Sequence, residues 1–209
     1  AHIDEKKTKS LIPVEKDVDC LSSISAEQLF AGKSTGFPPC TPTACMDMLA
    51  HYNVPVKGKK CVVIGQGPVV GKPVSYLLLK AGAQVTTIYL NEKGTLCVDE
   101  LKLTDKGMEV ADHSTDKTTP DTCKQAEIIV AAAGFPRLVK ANAASPGQTF
   151  IDVGINADPL NPGKYCGDVD YDAVEPIVAR ISPVPAGVGS VTTSVLCKHT
   201  IMACEKQVQ

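Results

Sequence analysis

Apolar residues along this chain gather in short runs closed by glycines, with little polar alternation inside them. Cys61 to Ile64, Ala126 to Ala133 and Thr149 to Val153 are rich in β-branched or small apolar residues and end at Gly65, Gly134 and Gly154. Runs of this kind predict strands buried on both faces, as in a parallel sheet. Between the first two runs, Gly71 to Lys80 carries apolar residues at helical spacing, with Gly82 as a natural stop. Ala44, Met48, Leu49 and Tyr52 predict an earlier helix, capped by Thr41, with Pro42 at its first position and an end near Asn53. Ser190 to Lys206 predicts a C-terminal helix bearing Val191, Val195, Ile201 and Met202.

The remaining segments are less periodic. Residues 1 to 20 are charged and then extended, and residues 21 to 39 are polar and turn-rich. Gln84 to Asn91 and Thr95 to Lys102 have strand character, and Lys93-Gly94 between them suits the turn of a hairpin-like excursion. Met108 to Asp112 is a further strand candidate, and Pro120 suits the first turn of a short helix. Residues 155 to 180 are loop-rich with room for one short helix. Strands alternating with helices, and glycines at strand ends, predict an α/β fold with a Rossmann-type doubly wound parallel sheet. Residues 60 to 155 form its dinucleotide-binding part.

Composition narrows the class. Hydrophobic residues are 44% and charged residues 21%, ordinary for a globular protein of 209 residues. The formal charge of -2 offers no attraction for nucleic acid or an anionic membrane. No apolar run approaches a membrane span, and the opening AHIDEKKTKS lacks the apolar stretch of a signal peptide. Nine cysteines are an odd count without a CxxC pair. Several, such as Cys61 and Cys197, sit in apolar runs and read as small buried hydrophobes. Cys40 and Cys45 have no nearby histidine, so no metal site is expected. Scattered reduced thiols point to a reducing, cytosol-like compartment.

Three segments carry candidate chemistry. Gly65-Gln66-Gly67-Pro68-Val69-Val70-Gly71 lies between a strand and a helix and is one residue longer than the standard dinucleotide fingerprint. Its glycines permit a sharp turn and close backbone approach, and free N–H groups at the helix start attract phosphates. Glycines also mark ordinary tight turns, but the strand–turn–helix context favours the phosphate cradle. Pro183 to Gly189, PVPAGVG, is stiff in one half and open in the other. It suits either a flat ring packed on its backbone or a rigid link into the last helix. Lys16-Asp17-Val18-Asp19 offers two carboxylates for a heterocycle's N–H groups. From the residues alone, a solvated charge cluster is the better account.

Seven blocks in this order resemble one family: KDVD, PCTP (Pro39 to Pro42), VVIGQGPVVGKP, AEIIVAAAGFP, IDVGIN (Ile151 to Asn156), GDVD (Gly167 to Asp170) and PVPAGVGSVT. Together they are similar to the methylenetetrahydrofolate dehydrogenase/methenyltetrahydrofolate cyclohydrolase family over nearly the whole chain. The resemblance implies NAD- or NADP-dependent oxidation of 5,10-methylenetetrahydrofolate to the methenyl form, with hydrolysis to 10-formyltetrahydrofolate in many members. It needs no metal. Carried over by position, Asp19 and Pro185, Ala186, Gly187 and Val188 would contact folate. Gly65, Gln66, Gly67, Val69, Val70, Gly71, Lys72, Ser114, Gly134, Ile155 and Thr192 would contact the dinucleotide. The folate substrate follows from the same resemblance, and so does a homodimer, the commonest soluble oligomer; the reduced thiols place it in the cytoplasm.

Departures accompany it. The family's G-R-S turn is Gly65-Gln66-Gly67 here, so the arginine that pairs with a 2′-phosphate is absent. Ser114 is either a second anchor for that phosphate or a turn residue. Residues 84 to 108 include an insertion. The glycine of D-V-D-G is Cys20, and one glycine of P-G-G-V-G-P is Ala186. The chain's opening matches a point about a hundred residues into a typical member, judged against ordinary domain sizes. The family's catalytic Y-x-x-x-K lysine would lie upstream, so no catalytic residue is assigned here and the chain alone is expected to be inactive. The resulting division is a partial folate-binding domain over 1 to 51, a dinucleotide-binding domain over 52 to 189, and a C-terminal helix over 190 to 209 returning to the folate-binding domain. The rival function is a non-catalytic nucleotide-binding paralogue or fragment.

Overall fold

The computed structural model describes residues 3–33 and 36–208. In chain order its helices and strands are α1 (Glu5–Ser10), α2 (Ser23–Phe30), α3 (Cys40–His51), β1 (Lys60–Ile64), α4 (Gly71–Lys80), β2 (Gln84–Leu90), β3 (Leu96–Thr104) and β4 (Gly107–Ser114), followed by α5 (Thr119–Lys124), β5 (Ile128–Ala131), β6 (Thr149–Asp152), β7 (Asn156–Ala157), β8 (Tyr165–Cys166), α6 (Tyr171–Val174), β9 (Arg180–Ile181) and α7 (Val188–Gln207). Seven strands form one sheet in the order β4-β3-β2-β1-β5-β6-β9.

Within that order the five strands β2-β1-β5-β6-β9 are parallel, and the β1, β5 and β6 runs are buried on both faces as their unbroken apolar character requires. On one face Cys61, Val63 and Val85 pack under α3, α4 and α7 through Leu49, Val74, Leu78 and Val195. On the other, Val62, Ile64, Ile129 and Phe150 pack against Cys123 of α5 and Val174 of α6. From β1 the chain crosses to β2 on one side and later to β5 on the other. This reversal opens a crevice at the C-terminal ends of β1 and β5, where α/β sheets bind ligands.

The sheet is not parallel throughout. The β2-β3-β4 segment is an antiparallel meander, and a register shift at Glu100/Leu101 bends it. The hairpin expected over 84 to 102 is therefore present, and Met108 to Asp112 belongs to its third strand. The short helix after Thr118 also forms, capped by the Thr118 side chain with Pro120 in its first turn.

Several sequence expectations are corrected. Residues 3 to 20 are not extended: α1 is capped by Asp4, and a 3-10 turn spans Val14–Lys16. Within 21 to 39, Ser22 caps α2 by accepting the Ser25 N–H, while Ser34 and Thr35 lie outside the described residues. Thr41 does not cap α3, which begins one residue earlier behind Pro39 with no side-chain cap from that residue. Residues 155 to 180 contain the β7-β8 hairpin as well as a short helix. Cys197 lies exposed on α7, because its position on the helix faces away from the sheet, while Cys40, Cys45, Cys61, Cys97, Cys123 and Cys166 are buried.

Candidate functional site

The β1–α4 turn is built by two close backbone contacts. Gly65 has φ +101°, and a Cβ there would lie 2.2 Å from the Ala132 carbonyl oxygen. A Cβ on Gly71 would lie 2.1 Å from the Gly65 carbonyl oxygen. Only glycines let the turn press against the β5 loop and double back into α4. No side chain caps α4 at Val70. Among its first three residues Pro73 has no N–H and the Lys72 N–H donates to the Gly67 carbonyl at 3.1 Å, which leaves the Gly71 N–H and the helix dipole to favour an anion at this end. Gln66 folds inward, its Nε2 donating to the Gly65 carbonyl and to Ser75 Oγ, both at 3.3 Å. The Lys72 ammonium sits over the Phe30 ring, 5.0 Å from its centroid. Gly67 and Val70 complete the turn, and Val69 is exposed at its tip.

A cleft of about 420 Å³ opens beside the start of α7. It collects Pro185, Ala186, Gly187, Val188, Ile155 and Thr192. Thr192 Oγ1 donates to the Val188 carbonyl at 3.0 Å and meets Thr41 Oγ1 at 3.3 Å. Thr41 also lines this cleft, a role its apparent position as a helix cap concealed. Ala186 carries φ +74° without being glycine. Asp152 forms part of the wall and is buried. Burial pushes its carboxyl up to about 7, with the Asp168 charge adding to this and N–H donors from Val169, Asp168 and Gly154 opposing it.

Asp19 lines a separate cleft of about 460 Å³, with Cys20, Leu21, Pro39, Pro68 and Val69 among its neighbours. Asp19 Oδ1 accepts the Cys40 N–H at 2.7 Å and so caps α3 from a distance in sequence. Asp17 is buried instead, accepting the backbone N–H groups of Leu21 (2.8 Å) and Ser22 (2.9 Å). Burial raises its carboxyl, but bonds from Ser25, Ser22 and Leu21 outweigh that and leave it below its ordinary value. The two carboxylates of the KDVD block thus part company, one into the core and one toward a cleft.

The N-terminus of α3 joins the two clefts, with Pro39 on one and Thr41 on the other. Ser114 lies apart. It is level with Val98, Ile88 and Ile64 across the sheet, three strand steps from β1 or roughly 14 Å. Its Oγ accepts the Asp116 N–H at 3.3 Å, a turn contact. Beside it, Asp99 receives Tyr89 Oη at 2.8 Å and pairs with His113 Nδ1 at 2.5 Å. Burial and the Asp99 carboxylate push the Tyr89 hydroxyl up to about 12. Gly134 sits in the β5 loop, its N–H directed to Asp168. Among the described residues no group of His, Cys, Asp or Glu is arranged to hold a metal.

Residues 39–98 and 94–208 match the family model described as tetrahydrofolate dehydrogenase/cyclohydrolase, NAD(P)-binding domain. The two segments meet at the turn into β3, where the antiparallel meander begins. The chain is 54% identical over 204 residues to the bifunctional protein FolD of Carboxydothermus hydrogenoformans, covering 98% of this chain and 63% of that protein. The FolD of Clostridioides difficile is 44% identical over 206 residues, with 99% and 63% covered. The crystal structure of the Campylobacter jejuni FolD dehydrogenase/cyclohydrolase superposes with a TM-score of 0.81 at 31% identity, over 99% of this chain and 64% of that one. The Trypanosoma brucei enzyme, solved with NADP and an inhibitor, gives 0.79 at 33% identity, over 100% and 64%. The chain therefore spans about 63% of the length of the curated relatives it matches.

Proposed function

Because the chain belongs to the tetrahydrofolate dehydrogenase/cyclohydrolase family, we propose that it forms the dinucleotide-binding part of an enzyme that oxidises 5,10-methylenetetrahydrofolate to the methenyl form, with hydrolysis to 10-formyltetrahydrofolate as a second activity. The observation that carries this is the glycine turn from Gly65 to Gly71, pressed on the β5 loop at the sheet's switch point and opening onto an uncapped helix. That geometry fits the pyrophosphate of NAD or NADP, since the glycines allow close backbone approach and the Gly71 N–H and helix dipole favour an anion there. The bound dinucleotide supplies the hydride acceptor. The chain's own part is to hold it and to shape the 183–189 cleft beside it, with Thr41 and Thr192 fixing the cleft's floor. Asp19, half-buried at the second cleft, offers a carboxylate to the N–H groups of the pterin ring.

The same reading takes residues 52 to 189 as the dinucleotide-binding domain and residues 1 to 51 and 190 to 209 as parts of the folate-binding domain. It assigns the protein to a homodimer in the cytoplasm. All nine cysteines are free, in keeping with a reducing compartment, and no helix among the described residues is long and apolar enough to cross a membrane.

Gln66 decides the cofactor. Its neutral amide is turned back onto Gly65 and Ser75, so the turn presents no cation to a 2′-phosphate. A missing charge-assisted bond is worth about 1.5 to 3 kcal/mol, on the order of tenfold or more in affinity. NAD should therefore bind more tightly than NADP in calorimetric titration, and Gln66→Arg should restore NADP. A folate analogue titrated in the same cell tests the enzyme assignment. Tighter NADP than NAD would defeat the cofactor assignment, and absence of any dinucleotide binding would defeat the functional one.

A further inference from the structure

Three consecutive backbone N–H groups at the end of β5 converge on one buried carboxylate. Asp168 Oδ2 accepts from Ala133 (2.6 Å) and Gly134 (2.9 Å), and Oδ1 accepts from Phe135 (3.0 Å) and from Asn156 Nδ2 (2.9 Å). Asp168 is fully buried. Successive N–H groups around a left-handed glycine form an anion nest, and Gly134 has φ +67°. In many proteins such a nest faces an external anion; here the chain fills it with its own.

Asp168 is itself held. Its N–H and that of Val169 donate to Asp152 at 2.9 Å each. A Cβ on Gly154 would lie 2.0 Å from Asp168 Oδ1, and one on Gly167 would lie 1.8 Å from Asp152 Oδ2. Each carboxylate thus occupies space that a side chain on the facing glycine would take. The Arg137 N–H donates to the Gly167 carbonyl and the Val139 N–H to the Asp168 carbonyl, which fixes the far side of the same loop. The result is a rigid knot joining the loops after β5, β6 and β8.

This knot sits against the phosphate turn, because Gly65 is in contact with the backbone of Ala132 and Ala133. Two residues on, in the loop after β5, Phe135 is 61% exposed. Val69 (59%) and Ile155 (66%) are exposed at the tips of the neighbouring β1 and β6 loops. Exposed large apolar side chains on the loops after β1, β5 and β6 suit a partly apolar ligand.

Building on the dinucleotide assignment, we propose that Asp168 is a positioning residue for cofactor binding: by filling the Ala133–Phe135 nest it sets the β5 loop so that Phe135 forms a wall of the dinucleotide crevice. It also leaves the Gly65–Gly71 turn as the open anion cradle there, so that the pyrophosphate has one seat. Asp168→Asn keeps the volume but places an amide N–H₂ against backbone donors, so part of the nest loses its acceptor.

The test uses the absence of tryptophan from the chain. Phe135→Trp introduces a single indole reporter. Its emission should change saturably with NAD, at the dissociation constant that calorimetry gives for that same variant. Adding Asp168→Asn should weaken NAD binding on the order of tenfold, the effect of a lost charge-assisted bond. Hydrogen exchange at Ala133, Gly134 and Phe135 should become fast in Asp168→Asn without any cofactor present. Phe135→Ala, which leaves the knot intact, should weaken NAD while keeping those amides protected. A parent that binds NAD while the indole of Phe135→Trp stays silent, or an Asp168→Asn variant that binds NAD as the parent does, overturns the proposal. A parent chain that binds neither dinucleotide overturns the functional assignment and this proposal with it. Calorimetry on the parent, done first, separates the two failures.

Discussion

Ala186 and Cys20 stand where the family motifs carry glycine, and both have left-handed backbones, at φ +74° and +54°. An L-residue there costs about 1–2 kcal/mol. Replacing it with glycine returns that strain but adds about 0.4–1 kcal/mol of unfolded-state freedom. Ala186→Gly should therefore raise stability by about 0 to 1.6 kcal/mol, visible as a higher melting temperature. A lower one would mean that the Ala186 methyl makes favourable contacts outweighing its strain. Asp19 separates two roles in a similar way. Its carboxylate caps α3 through the Cys40 N–H, and loss of a cap typically costs about 1 kcal/mol. Asp19→Asn retains an acceptor and should melt near the parent while losing affinity for a folate analogue. Asp19→Ala should lose both. Thermal melts and folate titrations of the two variants distinguish the cap from the ligand contact.

At the scale of elements, the strand ends carry the pH response. Asp152 closes β6, and burial raises its carboxyl to about 7, against about 3.9 in an unfolded chain. The folded state then binds more protons than the unfolded one between these values. Its contribution to stability is complete below the unfolded value and is lost as pH rises through about 7. Asp158, after β7, behaves oppositely. Bonds from Asn161, Arg137 and Leu160 lower its carboxyl to about 2, so its contribution holds above the unfolded value and is lost as pH falls through about 2. Denaturant unfolding should give lower stability at pH 8 than at pH 5, and Asp152→Asn should flatten that difference. An unchanged slope in the variant would assign the pH response to other groups. The added meander belongs to the same scale. It carries a charged outer edge at Glu109 and Asp112, which discourages pairing with another strand.

For the molecule as a whole, the two clefts meet at α3 but differ in chemistry. The cleft by α7 is lined by Thr41, residues 152–155, residues 183–190, Thr192 and Thr193, with no lysine among them. Its one carboxylate, Asp152, is committed to three backbone donors. Positioned acid–base help typically contributes about 10²–10⁴-fold, and no lysine lines this cleft to give it. We expect residues 1 to 209 to bind a dinucleotide and to turn over neither folate reaction. A spectrophotometric assay for methenyltetrahydrofolate on the purified chain checks this. Product at rates normal for an enzyme would place the proton-handling group among residues given no such role here.

The parallel core, the glycine turn and the helices on either side of it were legible along the chain because each rests on local patterns. A run buried on both faces shows as unbroken apolar residues, and a left-handed turn shows as glycine. Residues 3 to 33 were misread because α1 and α2 are short, weakly periodic helices. Side-chain caps from Asp4 and Ser22 and the buried Asp17 support them, and the last acts only once its partners are folded around it. The family resemblance named Asp19, Ser114 and the 183–189 loop, but spacing does not say that Asp17 goes inward, that Thr41 meets Thr192, or that Ser114 ends at the sheet's margin. Asp168 with Ala133, Asp19 with Cys40 and Thr41 with Thr192 are pairs far apart in sequence. Their partners are chosen when sheet order and loop packing bring them together, a selection that local propensity does not encode.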